Sequence, residues 1–281
     1  MIRIEPPELK TMSQYIFDIS GIFLDQSKSY LFETRLSSIA EKNDCKSYLE
    51  LQSKAKKEPC RKIEQEIIDA ISTNETLFFR DKSPFELLRK KLLPDLIDMR
   101  ASKLNGLRTP IKIWSAASST GQELYSIAII IKELLASHKN YNLKLLGTDI
   151  SENAISQAKQ GIYNKFEIER GLDQNILHKY FTLSGDSWKI KDEIRAMATF
   201  QKLNLMAPFT ALGKFDIIFC RNVAIYFTFE DRKKLFDKIA DSLADDGFLV
   251  IGSTESLTGI CPRFFPKRHL KAIFYKKMMA S

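Results

Sequence analysis

The sequence predicts an α/β protein: a doubly wound, mostly parallel sheet carrying a small β-subdomain, preceded by a small all-helical N-terminal domain. Three observations predict it. The first 72 residues place apolar side chains at helical spacing, with no strand-like alternation. From Pro110 onward short apolar runs alternate with helical patterns, the signature of a parallel sheet covered on both faces. Between Tyr180 and Ile194 a hairpin pattern interrupts that rhythm.

In the first domain, residues 1–75, Leu31, Arg35-Leu36 and Ile39 form one helical stripe, and Ile63, Ile67-Ile68 and Ile71 another. Gly21, Asn43-Asp44 and Pro59 punctuate them. Residues 76–109 read as a linker with a helix over 83–104, capped by Ser83, with Pro84 in its first position and a kink at Pro94. Its apolar face is Leu87, Leu88, Leu92, Leu93, Leu96 and Ile97. Residues 110–281 then give a strand at Ile111–Trp114, a helix at Leu124–Ser137, a strand at Leu143–Gly147 and a helix from Glu152. Further on come a strand at Phe215–Cys220, a helix at Glu230–Ala244 and a strand at Phe248–Gly252. The β insertion, about 178–200, pairs Tyr180–Leu183 with Trp188–Ile190 around Ser184-Gly185-Asp186-Ser187.

The 43 basic and 35 acidic side chains leave a net charge of +8. The excess sits around residues 80–108 and in the last twenty residues, with no alternation of basic and aromatic side chains. It suits an acidic protein partner at least as well as a phosphate backbone, and no nucleic acid is expected. The four cysteines form no C-x-x-C pair and the three histidines lie far from them, so no metal site is expected. The longest apolar stretch, Tyr125 to Ile131, is too short to span a bilayer, and the start carries no signal pattern. A cytoplasmic monomer without membrane insertion is expected.

Three features fall where a doubly wound sheet binds ligands, beyond the carboxyl ends of its strands. The first is Trp114-Ser115-Ala116-Ala117-Ser118-Ser119-Thr120-Gly121. Small side chains there allow a ligand close to the backbone, and neither G-x-G-x-x-G nor Gly-Lys-Ser/Thr is present, so phosphate-cradling loops are unsupported. A plain strand-to-helix turn explains this segment alone equally well. The second is Asp149, placed to accept bonds from ribose hydroxyls or to cap the helix that follows. The third is Phe215–Phe227, where an apolar strand ends in Arg221-Asn222 and a second apolar run begins. A buried strand accounts for residues 215–219 but not for that polar pair.

Here the chain resembles the CheR family, methyltransferases acting on glutamate side chains of bacterial chemoreceptors. The matching segments are TNETLFFRD (73–81), WSAASSTGQELYS (114–126), GTDIS (147–151), KLNL (202–205), FDIIFCRNVAIYF (215–227) and GFLVIGSTE (247–255), in the family's order and spacing. The resemblance implies a seven-stranded class I methyltransferase domain with a small β-subdomain, S-adenosyl-L-methionine as cofactor and S-adenosyl-L-homocysteine as its product. It implies that Asn74, Thr76 and Arg80 face the amino-acid end of the cofactor and that Glu123 lies in the same site. Asp149 would take the ribose, Asn204 and Leu205 would flank the adenine, and Arg221 and Asn222 would complete the pocket. Arg80 and Tyr226 would face the substrate glutamate on the chemoreceptor's cytoplasmic helical bundle.

The chain departs from the family in three places. Gln122-Glu123-Leu124 stands where relatives commonly carry Glu-Glu-Pro; Glu123 keeps the acid. The early helix is less basic than in relatives that meet the receptor there. The Ser184–Ser187 turn is shorter than the glycine-containing loop with which some relatives grip a peptide at the receptor's C-terminus. No C-terminal pentapeptide docking is therefore expected, and the receptor bundle would be met with help from Arg80, Lys82, Arg89, Lys90 and Lys91. Two alternatives stay open. A methyltransferase acting on RNA or a small molecule is favoured by the pI of 9.1, but Arg-Asn-Val-Ala-Ile-Tyr replaces the Asn/Asp-Pro-Pro-Tyr/Phe of amino-methylating nucleic-acid enzymes. A non-catalytic cofactor-binding signalling module has Arg80 and Tyr226 against it.

Overall fold

The computed structural model describes residues 2–25, 28–101, 109–135, 141–269 and 271–278. Four helices come first: α1 (Pro6–Ser20), α2 (Ser29–Lys42), α3 (Tyr48–Lys57) and α4 (Lys62–Ile71). Their apolar stripes meet in a core of their own, where Met12 and Ile16 pack with Phe32, Leu36, Ile67 and Ile71. Pro6 and Pro7 start α1 and Gly21 ends it with a left-handed backbone (φ +77°). A Cβ at Gly21 would also run into the Met206 side chain, so this turn is a point of close approach to the rest of the chain.

The linker helix is broken into α5 (Ser83–Leu87) and α6 (Leu93–Ala101) by one wide turn over Leu88–Leu92. In that turn the Leu93 N–H reaches back to the Leu88 carbonyl, five residues away. Pro94 is the physical reason. Its ring would clash with the carbonyl of residue 90 in a regular helix, and widening the preceding turn relieves the clash without a sharp kink. Ser83 does not cap the helix as the sequence suggests; it is the first helical residue, preceded by Lys82 in a left-handed conformation. The end expected at residue 104, like that expected at residue 137, lies outside the described residues.

The remaining elements are β1 (Thr109–Ala116), α7 (Gln122–Leu134), β2 (Tyr141–Asp149), α8 (Glu152–Gln160), β3 (Ile162–Asn164), α9 (Lys165–Glu169), α10 (Gln174–Tyr180), β4 (Phe181–Ser184), β5 (Ser187–Ile190), α11 (Asp192–Arg195), β6 (Ala198–Lys202), β7 (Phe215–Cys220), α12 (Phe229–Ser242), β8 (Leu243–Ile251), β9 (Phe264–His269) and β10 (Ala272–Lys277). Seven of the strands form one sheet in the order β6-β2-β1-β7-β8-β10-β9. The first five are parallel, and β10 and β9 close the sheet antiparallel. Helix α7 and the linker helices cover one face, with Ile113, Ile127, Ile217 and Phe248 in its core. Helix α12 covers the other, over Trp114, Ile218, Leu235 and Leu249. The strands thus alternate their side chains between two cores.

The β-subdomain begins earlier than about 178–200. Strand β3, at residues 162–164, pairs with β5, which pairs in turn with β4. At the other end, β6 belongs to the main sheet, where it pairs with β2.

Candidate functional site

A cavity of about 300 Å³ opens where helices α1, α2 and α4 meet the carboxyl ends of the central strands. Every site residue singled out from the sequence lines it. Asp149 is the last residue of β2, and Glu123 lies in the first turn of α7. Asn204 and Leu205 follow β6, and Arg221 and Asn222 follow β7. Tyr226 closes a single helical turn after β7. Asn74, Thr76 and Arg80 come from the segment that joins α4 to α5.

Asp149 is 7% exposed. One carboxylate oxygen accepts the Ser119 N–H at 2.8 Å and the other the Ser151 N–H at 3.0 Å. Burial pushes its pKa upward, and those amide bonds hold it back in part. Further lone pairs remain on both oxygens for a hydroxyl donor.

Arg221 is the electrostatic centre. Its side chain is 2% exposed and bridges Glu123 at 2.8 Å and Asp81 at 2.7 Å. It also donates to the Arg80 carbonyl at 3.0 Å and lies over the Phe85 ring at 5.6 Å. Glu123 accepts a second bond from the Ser115 hydroxyl at 2.8 Å. Two acids thus answer one buried guanidinium, Glu123 from inside the cavity wall and Asp81 from its partly exposed edge.

Arg80 is held differently. Its guanidinium donates to the Glu75 carbonyl at 2.9 Å and makes no ion pair among the described residues. Its neighbours Phe79, Asp81 and Lys82 all adopt left-handed backbone, with φ of +51°, +67° and +48°. Ala117, Ser119 and Asn222, which line the cavity, do the same. Non-glycine residues in this conformation cost about 1–3 kcal/mol each, and such strain collects where geometry is dictated by function.

Asn204 does not simply face the cavity. Its amide donates to the Ile19 carbonyl at 3.2 Å and its oxygen accepts the Met206 N–H at 2.8 Å, tying α1 to the loop after β6. Lys238 of α12 fastens the same loop from behind, donating to the carbonyls of Leu205 (2.6 Å), Met206 (3.0 Å) and Ala207 (3.0 Å). Burial lowers the Lys238 pKa. Glu255 fixes Asn222 by accepting its N–H at 2.8 Å and that of Gly252 at 2.7 Å. Lys238 does not stand out in the sequence, because its role depends on long-range contacts; Glu255 ends the matching segment 247–255, but its hold on Asn222 spans 33 residues.

The family comparison decides what kind of site this is. The family model "CheR methyltransferase, SAM binding domain" matches residues 74–272, and "CheR methyltransferase, all-alpha domain" matches residues 7–72. The chain belongs to the CheR methyltransferase family. It is 38% identical over 278 residues to chemotaxis protein methyltransferase 1 of Vibrio cholerae, covering 98% of each chain. It is 37% identical to chemotaxis protein methyltransferase Cher2 of Pseudomonas putida, covering 85% of this chain and 86% of the relative. It is likewise 37% identical to the chemotaxis protein methyltransferase of Borreliella burgdorferi, covering 92% and 91%. The fold is that of a class I methyltransferase, and S-adenosylmethionine is the cofactor.

The cavity fits that molecule. Ser118 lines it with a buried hydroxyl that has no protein partner. A buried hydroxyl left unmet is costly, so a polar ligand group is the natural complement. Asp149 has lone pairs free for a hydroxyl donor such as a ribose, and Ala117, Leu205 and Val223 give apolar wall.

Proposed function

We propose that the enzyme methylates glutamate carboxylates on a chemoreceptor, forming a methyl ester that a separate esterase can remove. The observation that carries this reading is that Arg80 and Tyr226 both line the cofactor cavity, with no histidine or cysteine among its described lining residues. A glutamate is ionised at neutral pH and needs no general base. The cofactor, when bound, supplies an activated methyl group on a sulfonium. The chain's task is to hold the carboxylate in line and to exclude water. Arg80 grips the carboxylate by a charge-assisted bond, and Tyr226 donates its hydroxyl to set the orientation. Asp149 takes the ribose, Asn204 and Leu205 flank the base, and Asn74, Thr76, Glu123, Arg221 and Asn222 shape the end that holds the amino-acid tail.

In this reading residues 1–75 act as a helical unit that roofs the cavity, residues 76–109 link it, and residues 110–281 carry the cofactor. The enzyme works in the cytoplasm, on the receptor's helical bundle. The described residues hold no helix long and apolar enough to cross a membrane. The receptor's C-terminal pentapeptide is not required. Ser184 pairs directly with Ser187, so the β4–β5 connection is a two-residue turn with little chain to close over a peptide.

The test is incubation of the enzyme with labelled S-adenosylmethionine and receptor cytoplasmic fragments, with and without the C-terminal tail. Base-labile label on both fragments is expected. Label resistant to mild alkali would contradict ester formation, and label confined to the tailed fragment would contradict pentapeptide independence.

A further inference from the structure

The basic linker offers less to an acidic partner than its sequence suggests. Arg89 pairs with Glu133 at 2.6 Å, Lys90 with Glu86 at 2.6 Å and Lys91 with Asp95 at 2.8 Å. Three of its cations are thus engaged within the chain. The surface around the cavity mouth has a different character. Phe23 is 52% exposed, Tyr30 59% and Ile225 52%. Tyr30 lines the cavity itself; Phe23 sits between the lining residues Ile22 and Leu24, and Ile225 precedes the lining residue Tyr226. The Phe23 N–H donates to the Tyr226 carbonyl at 2.9 Å, which binds the two segments into one rim. Three large apolar side chains left in water beside one opening mark an interaction site.

We propose that this rim is the docking surface for a helix of the substrate protein, seated so that the glutamate to be methylated enters the cavity. The inference rests on the functional reading above and names the surface that reading requires. A glutamate side chain is short, so its own backbone must come down to the mouth before its carboxylate can reach Arg80. On a helix, the residues three and four positions away share the glutamate's face and must then lie on the rim. The rim is apolar, so the helix it accepts carries apolar residues at those positions.

Charge agrees with that occupant. Arg80 and Lys28 line the cavity and make no ion pair among the described residues, leaving it ready for a carboxylate. Glu75, an acid of the cavity wall, is already answered by Arg170 at 3.0 Å. A carboxylate with apolar neighbours one turn away therefore meets cations inside and apolar surface outside.

The experiment measures steady-state methylation of a receptor cytoplasmic fragment by Phe23→Ser and Ile225→Ser. The control variants are Phe166→Ser and Leu183→Ser, exposed apolar residues in and beside the three-stranded sheet. Calorimetry with S-adenosylhomocysteine checks each variant's fold and cofactor site. The rim variants are expected to raise KM for the fragment at least fivefold, with kcat and cofactor affinity within twofold of wild type and the controls unchanged. An unchanged KM in the rim variants, or an equal rise in the controls, would overturn the surface alone. A wild-type enzyme that puts no methyl ester on the fragment would overturn the occupant together with the reading on which it rests.

Discussion

Asp81 lies 2.7 Å from the Arg221 guanidinium, and the same nitrogen of Arg221 donates to the backbone carbonyl of Arg80. The buried arginine thus grips the turn that presents the half-buried Arg80. Asp81 is a positioning residue in this arrangement: it pins a turn whose left-handed backbone at Phe79, Asp81 and Lys82 would otherwise relax.

Replacing Asp81 by asparagine should therefore lower kcat by roughly tenfold or more while leaving cofactor affinity within about threefold. In an Arg80→Ala background the same change should do almost nothing to turnover, since the group being positioned is gone. Equal losses in both backgrounds would assign Asp81 a structural role only.

Arg80→Ala itself should reduce kcat roughly 10²-fold or more, with little change in the affinity for S-adenosylhomocysteine or in stability. Tyr226→Phe removes one hydroxyl and should give a smaller loss. Single-turnover rates compared with equilibrium binding would separate the two effects, and near-normal turnover of Arg80→Ala would remove it from the mechanism.

Asp149→Ala should weaken cofactor binding by about 1–3 kcal/mol. The wild-type carboxyl, raised by burial, takes up its proton above the ordinary aspartate range. Cofactor affinity should therefore fall as pH drops through that raised value, because the ionised form is the better hydroxyl acceptor. Stability of the unliganded enzyme should move the opposite way: a raised folded-state pKa contributes stability that is present at low pH and lost as pH rises through it. Asp149→Asn should flatten both profiles, as calorimetry and denaturant melts at several pH values would reveal.

Arg100→Met should separate stability from function. Arg100 bonds Asp216 at 2.6 Å, Asp246 at 3.1 Å and the Pro110 carbonyl at 2.7 Å. Asp216 also accepts the Lys112 N–H at 2.6 Å. This network joins the linker helix to the amino-terminal ends of the sheet strands, opposite the cavity. Leaving Asp216 buried without its cation should cost about 3–5 kcal/mol in denaturant unfolding, with cofactor affinity unchanged in the folded fraction.

Some of this was legible in the chain and some was not. Phe215–Cys220 reads as a buried strand because the apolar run Ile217–Cys220 has no other good use, and its polar successors Arg221 and Asn222 emerge where a ligand binds. Asp149 was placed by its position after an apolar strand. Strand β3 was invisible: Ile162-Tyr163-Asn164 is too short to carry a period, and only pairing with β5 makes it a strand. The wide turn at Leu88–Leu92 was half legible, since Pro94 marks trouble but not how the helix accommodates it. Asp81 stood within a recognised segment, yet its partner lies 140 residues away, beyond any local pattern. Arg221 lines the pocket as its position after β7 suggests, but that Glu123 and Asp81 answer its charge is set by the fold.

The central claim is that this site forms an ester on a glutamate side chain. It is tested most directly by mapping the modified residues of a receptor cytoplasmic fragment by mass spectrometry after reaction with wild-type enzyme and with Arg80→Ala. The account predicts single methyl groups on glutamates of the fragment, lost in mild alkali and nearly absent with Arg80→Ala. Methyl groups on lysine, arginine or backbone nitrogen, stable to alkali and formed equally well without Arg80, would contradict it.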